Sequence, residues 1–142
     1  MEIISFVGVG NIRFGMSPDE VKLLMSSPER QRLGKNGNLM ESRGAISTIY
    51  SKEKRLQEVG FSRNYEELTY KNINILKDPR GEVLGKLLKL DAQVFESYGF
   101  LIFMGLGITL TGFHDSAEDD VAVTVFSKGV WSIDDELKPY LG

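Results

Sequence analysis

Residues 12–21 read Ile12-Arg13-Phe14-Gly15-Met16-Ser17-Pro18-Asp19-Glu20-Val21. Ser17 has a hydroxyl that suits a helix N-cap, Pro18 suits the first helical position, and Glu20 stands where its carboxylate completes a capping box. Val21, Leu24 and Met25 then fall on one face at helical spacing. The stretch predicts a helix ending near Ser26-Ser27-Pro28, because proline disfavours helical geometry in the residue before it. Asp78-Pro79 repeats the pairing of capping residue and proline, and Val83, Leu84, Leu87, Leu88 and Leu90 supply a second apolar helix face. Gly81 and Gly85 each weaken that helix by roughly 1 kcal/mol relative to alanine.

Between and after these helices the pattern turns to strands. Residues 30–44 are polar and punctuated by Gly34, Gly37 and Gly44, which predicts a long loop. Strands are predicted at 45–51, 56–62 and 68–76, and again at 100–104, 108–113 and 121–126. Imperfect alternation between Tyr70 and Ile73 suggests a bulge or a frayed start. Residues 133–141 fit a short helix or an extended tail. Helix, strand, strand, strand therefore occurs twice. Ser17-Pro18 parallels Asp78-Pro79, Val59-Gly60-Phe61 parallels Thr111-Gly112-Phe113, and Ile73 and Ile75 parallel Val123 and Val125. The expected fold is α+β, a single domain over residues 1–142. Repeat 1 covers about 12–77 and repeat 2 about 78–132, two tandem helix–strand–strand–strand modules forming one antiparallel sheet with the helices on one face.

The chain has 142 residues, a formal net charge of −3, 42% hydrophobic and 26% charged residues. This length supports a sizeable core without disulfides, and the composition excludes disorder, collagen-like repetition and a disulfide scaffold. With no cysteine, thiolate nucleophiles, cysteine-ligated zinc and iron–sulfur clusters are excluded. One histidine, His114, excludes a site that needs two imidazoles. The N-terminal residues lack a basic n-region and a lipobox cysteine. The longest apolar stretch, 100–111, contains Gly105, Gly107 and Thr109 and is too short to span a bilayer. A cytoplasmic protein with no membrane partner is expected.

His114 beside Asp115, with Glu118, Asp119 and Asp120 nearby, is the only cluster that resembles an acid–base site. No nucleophile elbow accompanies it, and Asp and Ser are ordinary turn residues between strands. The same acidic residues lack the spacing and central glycine of a calcium loop. Gly8-Val9-Gly10-Asn11-Ile12-Arg13-Phe14-Gly15 places its third glycine two positions too late for a dinucleotide fingerprint and has no P-loop lysine. Catalysis, metals and cofactors are thus not expected.

Charge is segregated along the chain. Residues 30–55 hold seven basic and two acidic residues, a segment charge of +5. Residues 115–136 hold Asp115, Glu118, Asp119, Asp120, Asp134, Asp135 and Glu136 against Lys128, a charge of −6. The basic segment has Tyr50 as its sole aromatic in an acidic chain, so a solvated loop is expected there and not a nucleic-acid site. Trp131 follows Gly129 at a predicted sheet edge, and Tyr140 lies near the terminus. Aromatics among carboxylates suit a protein interface, and Asp115, Glu118, Asp119, Asp120, Trp131, Asp134, Asp135, Glu136 and Tyr140 form the expected partner-binding set.

The stretch Arg13-Phe14-Gly15-Met16-Ser17-Pro18-Asp19-Glu20-Val21 resembles the Gly-Met-Thr/Ser-x-x-Glu-Val signature that opens the SmpA/BamE-like lipoproteins. The tandem arrangement is similar to the beta-lactamase-inhibitor-protein architecture, in which two modules form one curved sheet that binds another protein. The chain departs from the pattern of those lipoproteins, since residues 1–7 do not read as a signal peptide and no cysteine is present to be lipidated, so an envelope role is not expected. A small acidic chain ending in a strand, Lys128-Gly129-Val130-Trp131 and an acidic tail resembles bacterial immunity proteins, including those of contact-dependent inhibition systems. That resemblance implies a non-enzymatic inhibitor whose partner is a protein toxin domain, a nuclease among the options, occluded at its active site. The alternatives are a small hydrolase or transferase using His114 and its neighbouring carboxylates, and a homo-oligomeric regulatory module.

Overall fold

The computed structural model describes residues 1–114, 121–132 and 137–141. Helix α1 spans Pro18–Met25 and starts as its sequence dictates. The Glu20 amide donates to Ser17 Oγ at 3.2 Å, and the Ser17 amide donates to Glu20 Oε1 at 3.1 Å. The bonds from Ser17, the backbone one first, hold the Glu20 carboxyl below its ordinary range. Ser17→Ala is expected to cost about 1 kcal/mol, read as a lower urea midpoint with an unchanged slope.

Helix α2 spans Arg80–Leu90 and starts differently. Pro79 occupies the cap position, and no side chain caps the free amides. The expected Asp78 cap is not formed, because Asp78 Oδ2 accepts from the Asn74 amide at 3.0 Å in the preceding turn.

Each helix follows a short hairpin. Strands β1 (Ile3–Ile4), β2 (Gly8–Val9) and β3 (Ile12–Arg13) form a three-stranded sheet ahead of α1. After α1 come β4 (Arg30–Leu33), β5 (Leu39–Arg43), β6 (Ile46–Tyr50) and β7 (Leu56–Ser62). A two-stranded hairpin, β8 (Thr69–Tyr70) and β9 (Ile73–Asn74), precedes α2. It stands where one strand over 68–76 was expected. Lys71 and Asn72 adopt positive φ, 46° and 68°, and reverse the chain in two residues, so the imperfect alternation is the turn itself. Glu2 and Thr69 form an isolated parallel bridge between the two hairpin regions.

After α2 come β10 (Val94–Ser97), β11 (Phe100–Phe103), β12 (Ile108–Thr111), β13 (Ala122–Phe126) and β14 (Lys138–Pro139). Among the described residues the main sheet has nine strands in the order β14-β10-β11-β12-β13-β7-β6-β5-β4, with every pair antiparallel. Four strands of this sheet, not three, follow each helix before the chain leaves it. Four strands of this sheet escaped apolar periodicity: β4 is exposed at every position, β5 and β10 are short and mixed, and β14 has two residues. The predicted loop at 30–44 is thus the β4–β5 hairpin, turning through Gly37 at φ 84°. The expected equivalence of Ile73 and Ile75 with Val123 and Val125 is also corrected. Val59 and Phe61 of β7 lie opposite Val125 and Val123 of β13 at the sheet centre.

Cross-strand register assigns side chains to faces. Ile46, Phe61, Val123, Leu110 and Leu101 form one row, flanked by Val59, Val125, Ile108, Phe103 and Val94. These residues share one hydrophobic cluster with Val21, Val83 and Leu87 of the helices and Ile3, Val9 and Ile12 of the first hairpins. Both helices therefore pack on one face, each buried large side chain contributing about 1.5–3 kcal/mol. The other face carries the row Ser42, Ser47, Gly60, Thr124, Thr109, Ile102 and Phe95. In the β10–β13 half this face is closed, with Ile102 and Thr109 0% and 6% exposed. In the β4–β7 half the same face is open, with Arg30, Arg32 and Ser62 exposed and Ser42, Ser47 and Ile49 half-buried.

The basic 30–55 segment is not a solvated loop. It holds three strands, and on their helix-facing side Arg43 Nη2 lies 3.4 Å from Glu41 Oε1, the two side chains 6% and 3% exposed. Tyr50 donates its hydroxyl to Glu41 Oε1 at 3.0 Å, and Gln31 Nε2 donates to Oε2 at 2.6 Å. Arg43 Nε donates to the Ser26 carbonyl at 2.9 Å, tying the exit of α1 to the sheet. Burial, ahead of the other influences, pushes the Tyr50 hydroxyl above its ordinary range.

Candidate functional site

One end of the main sheet gathers the residues that chemistry and exposure single out. Ser97, Phe100, Thr111 and Ala122 lie in register there, so it is the end where β10 turns into β11 and β12 departs for β13. β14 begins at the same end, with Lys138 opposite Glu96 and Pro139 opposite Phe95. The β10–β11 turn is two residues long, with Tyr98 at φ 48° and Gly99 at φ 85°. That geometry projects Tyr98 from the sheet end, 86% exposed. Glu96, Ser97, Tyr98 and Lys138 line an open cavity of about 300 Å³. A carboxylate, an ammonium group and a phenol ring stand around this open hollow, the residue types that protein interfaces use as aromatic anchor and polar rim.

His114 lies beside this cavity, its side chain 10% exposed and Nε2 4.0 Å from Glu96 Oε2. Tyr140 packs edge-on against the His114 ring, with centroids 5.8 Å apart and planes at 85°. Nδ1 is buried and has no hydrogen-bond partner among the described residues. Tyr140 also packs on the main hydrophobic cluster, and its amide donates to the Val94 carbonyl at 2.9 Å, extending the β10–β14 ladder. Of the expected partner-binding set, Tyr140 is half-buried as a brace for His114 and the end of β14, and Trp131 is half-buried in the connection from β13. Asp115, Glu118, Asp119, Asp120, Asp134, Asp135 and Glu136 lie outside the described residues. The residues that bracket the first acidic stretch, His114 and Val121, and Leu137–Lys138 after the second, adjoin the sheet end that carries Tyr98.

Sequence reasoning passed over Glu96, Tyr98 and Lys138. The legible signal was Tyr98-Gly99 between two apolar segments, a two-residue hairpin turn whose first residue faces water. Among the described residues, no group of three or more His, Cys, Asp or Glu side chains is placed to hold a metal ion, and no helix is long and apolar enough to cross a membrane.

On the open face, Glu58 lies opposite Ile49 and Phe126 and joins Arg32, Met40 and Ile49 around a second cavity of about 230 Å³. Burial raises the Glu58 carboxyl above its ordinary range. A raised carboxyl makes the folded state bind its proton more tightly, so stability falls as pH rises from the unfolded pKa through the folded one. Glu58→Gln is therefore expected to raise the melting temperature at pH 7.5, and the gain should vanish below about pH 4, where both states are protonated. Paired melts at the two pH values check this.

No protein-family model, curated protein or solved structure matches the chain.

Proposed function

We propose that this chain is a binding protein without catalytic activity, an immunity protein that neutralises a cognate bacterial toxin domain by occluding its active site. The observation that supports this most is that His114 and Val121, which flank one acidic stretch of the sequence, and Leu137, which follows the other, adjoin the sheet end that also presents Tyr98 over an open cavity. Acidic sequence on either side of such an end would steer a basic partner toward it, and an exposed aromatic would then anchor that partner. A nuclease, whose own site attracts phosphates, is the toxin class that fits. Occlusion of such a target requires the inhibitor to act in the cytoplasm. The hydrolase alternative rests on His114, whose ring is covered edge-on by Tyr140, an arrangement suited to packing and poorly suited to meeting substrate.

The finer architecture belongs to the same proposal. Two modules, each a hairpin, a helix and a four-strand meander, join through β7 and β13 into one binding sheet. In the hairpins Val9 pairs with Ile12 and Tyr70 with Ile73. The two helices begin 62 residues apart (Pro18 to Arg80), as do β6 and β12 (Ile46 to Ile108). The test is coexpression with the C-terminal domain of whatever protein is encoded immediately upstream of this gene: that domain is expected to arrest growth, and this chain to restore growth and form a stable complex with it. Growth arrest that persists at equal expression, with no complex recovered, would remove the immunity assignment.

A further inference from the structure

The two edges of the main sheet are finished in opposite ways. At one edge β14 is two residues long and contains Pro139. Tyr140 donates its amide to Val94, so 140 and 94 form a hydrogen-bonded pair, and alternation turns position 139 away from β10. Proline therefore stands where an outward N–H would invite another strand, a common way of protecting an edge. At the other edge β4 is four residues long and exposed throughout. Gly34 donates its amide to the Asn38 carbonyl at 2.8 Å, which makes 34 and 38 a hydrogen-bonded pair. Alternation then turns the main chains of Arg30 and Arg32 toward β5 and leaves the N–H and C=O of Gln31 and Leu33 facing outward. Both outward residues keep their donors.

The side chains along this edge specify what fits. Arg30 and Arg32 sit two apart on the open face, and among the described residues neither guanidinium has a hydrogen bond or an ion pair. Together with Gln31, Met40 and Ser42 they line an open cavity of about 310 Å³. A second copy of this chain is a poor occupant: antiparallel pairing of Gln31 with Leu33 of another copy sets Arg32 against Arg32, and like charges placed opposite are destabilising. We infer that β4 is a strand-addition site for an extended segment of a partner protein with carboxylates at alternate positions. Main-chain bonds to Gln31 and Leu33 would supply the docking, and ion pairs to Arg30 and Arg32 would select the sequence. This site lies on the opposite edge of the sheet from β14 and does not depend on the immunity assignment.

The experiment uses the full chain and a capped peptide of alternating Glu and Val, with an alternating Lys and Val peptide as the charge control. Binding of the Glu peptide should slow amide hydrogen exchange at Gln31 and Leu33 and leave the β14 edge unchanged. Leu33→Pro removes an outward donor without breaking a bond to β5, and Arg30→Glu with Arg32→Glu reverses the charge at exposed positions. Each change should weaken the Glu peptide by about tenfold or more, and the Lys peptide should bind the parent chain at least as much more weakly. No binding of the Glu peptide, equal binding of both peptides, retention by both variants, or dimerisation of the chain through β4 would each overturn the proposal.

Discussion

Arg43→Ala is expected to destabilise the fold by roughly 3–5 kcal/mol, a large fraction of the 5–15 kcal/mol available to a domain of ordinary stability. The cause is Glu41. Its carboxylate is almost fully buried, and Arg43 is the one cation placed against it among the described residues. Tyr50 and Gln31 donate neutral hydrogen bonds to the same carboxylate, which do not offset its charge. Loss of Arg43 also frees the Ser26 carbonyl and loosens the exit of α1. Replacing both partners by leucine is expected to recover most of the loss, because no buried charge is then left unpaired. Urea denaturation of the single and double variants measures this. A loss below about 1 kcal/mol for Arg43→Ala would show that Glu41 is neutralised by something other than Arg43.

Reversing Asp119, Asp120, Asp134 and Asp135 to lysine is expected to slow association with the partner by about 10- to 1,000-fold at low salt, with a much smaller effect on dissociation. Those four residues lie outside the described part of the chain, and the prediction rests on their sequence positions beside His114, Val121 and Leu137. Steering by net charge falls with ionic strength, so the difference between parent and variant should shrink as salt is raised beyond the physiological range. Stopped-flow association rates over a salt series check both features, with the far-UV spectrum as the folding control.

Much of the fold was legible where local chemistry and burial agree. Ser17, Pro18 and Glu20 specify a helix start on their own, and Val59, Phe61, Val123 and Val125 alternate because one face of their strands is core. The misses have physical reasons. Arg30–Leu33 forms a strand through its pairing with β5, and an exposed edge strand needs no apolar alternation. Lys71-Asn72 turns through positive φ with no glycine, so the strongest turn signal is missing. Asp78 resembles a cap but spends its carboxylate on Asn74. Arg43 and Glu41 resemble surface charges until the fold sets them together under α1. The candidate site was half legible. The acidic stretches flanking it were plain in the sequence, but Tyr98, Glu96 and Lys138 meet only through the pairing of β10 with β11 and β14.

We propose that the chain binds and silences a basic protein with the help of its acidic stretches. That reading is tested by the growth of cells that express the C-terminal domain of the protein encoded immediately upstream, together with either the parent chain or the four-lysine variant. Growth with the parent and arrest with the variant are expected. Equal rescue by both proteins would contradict that reading.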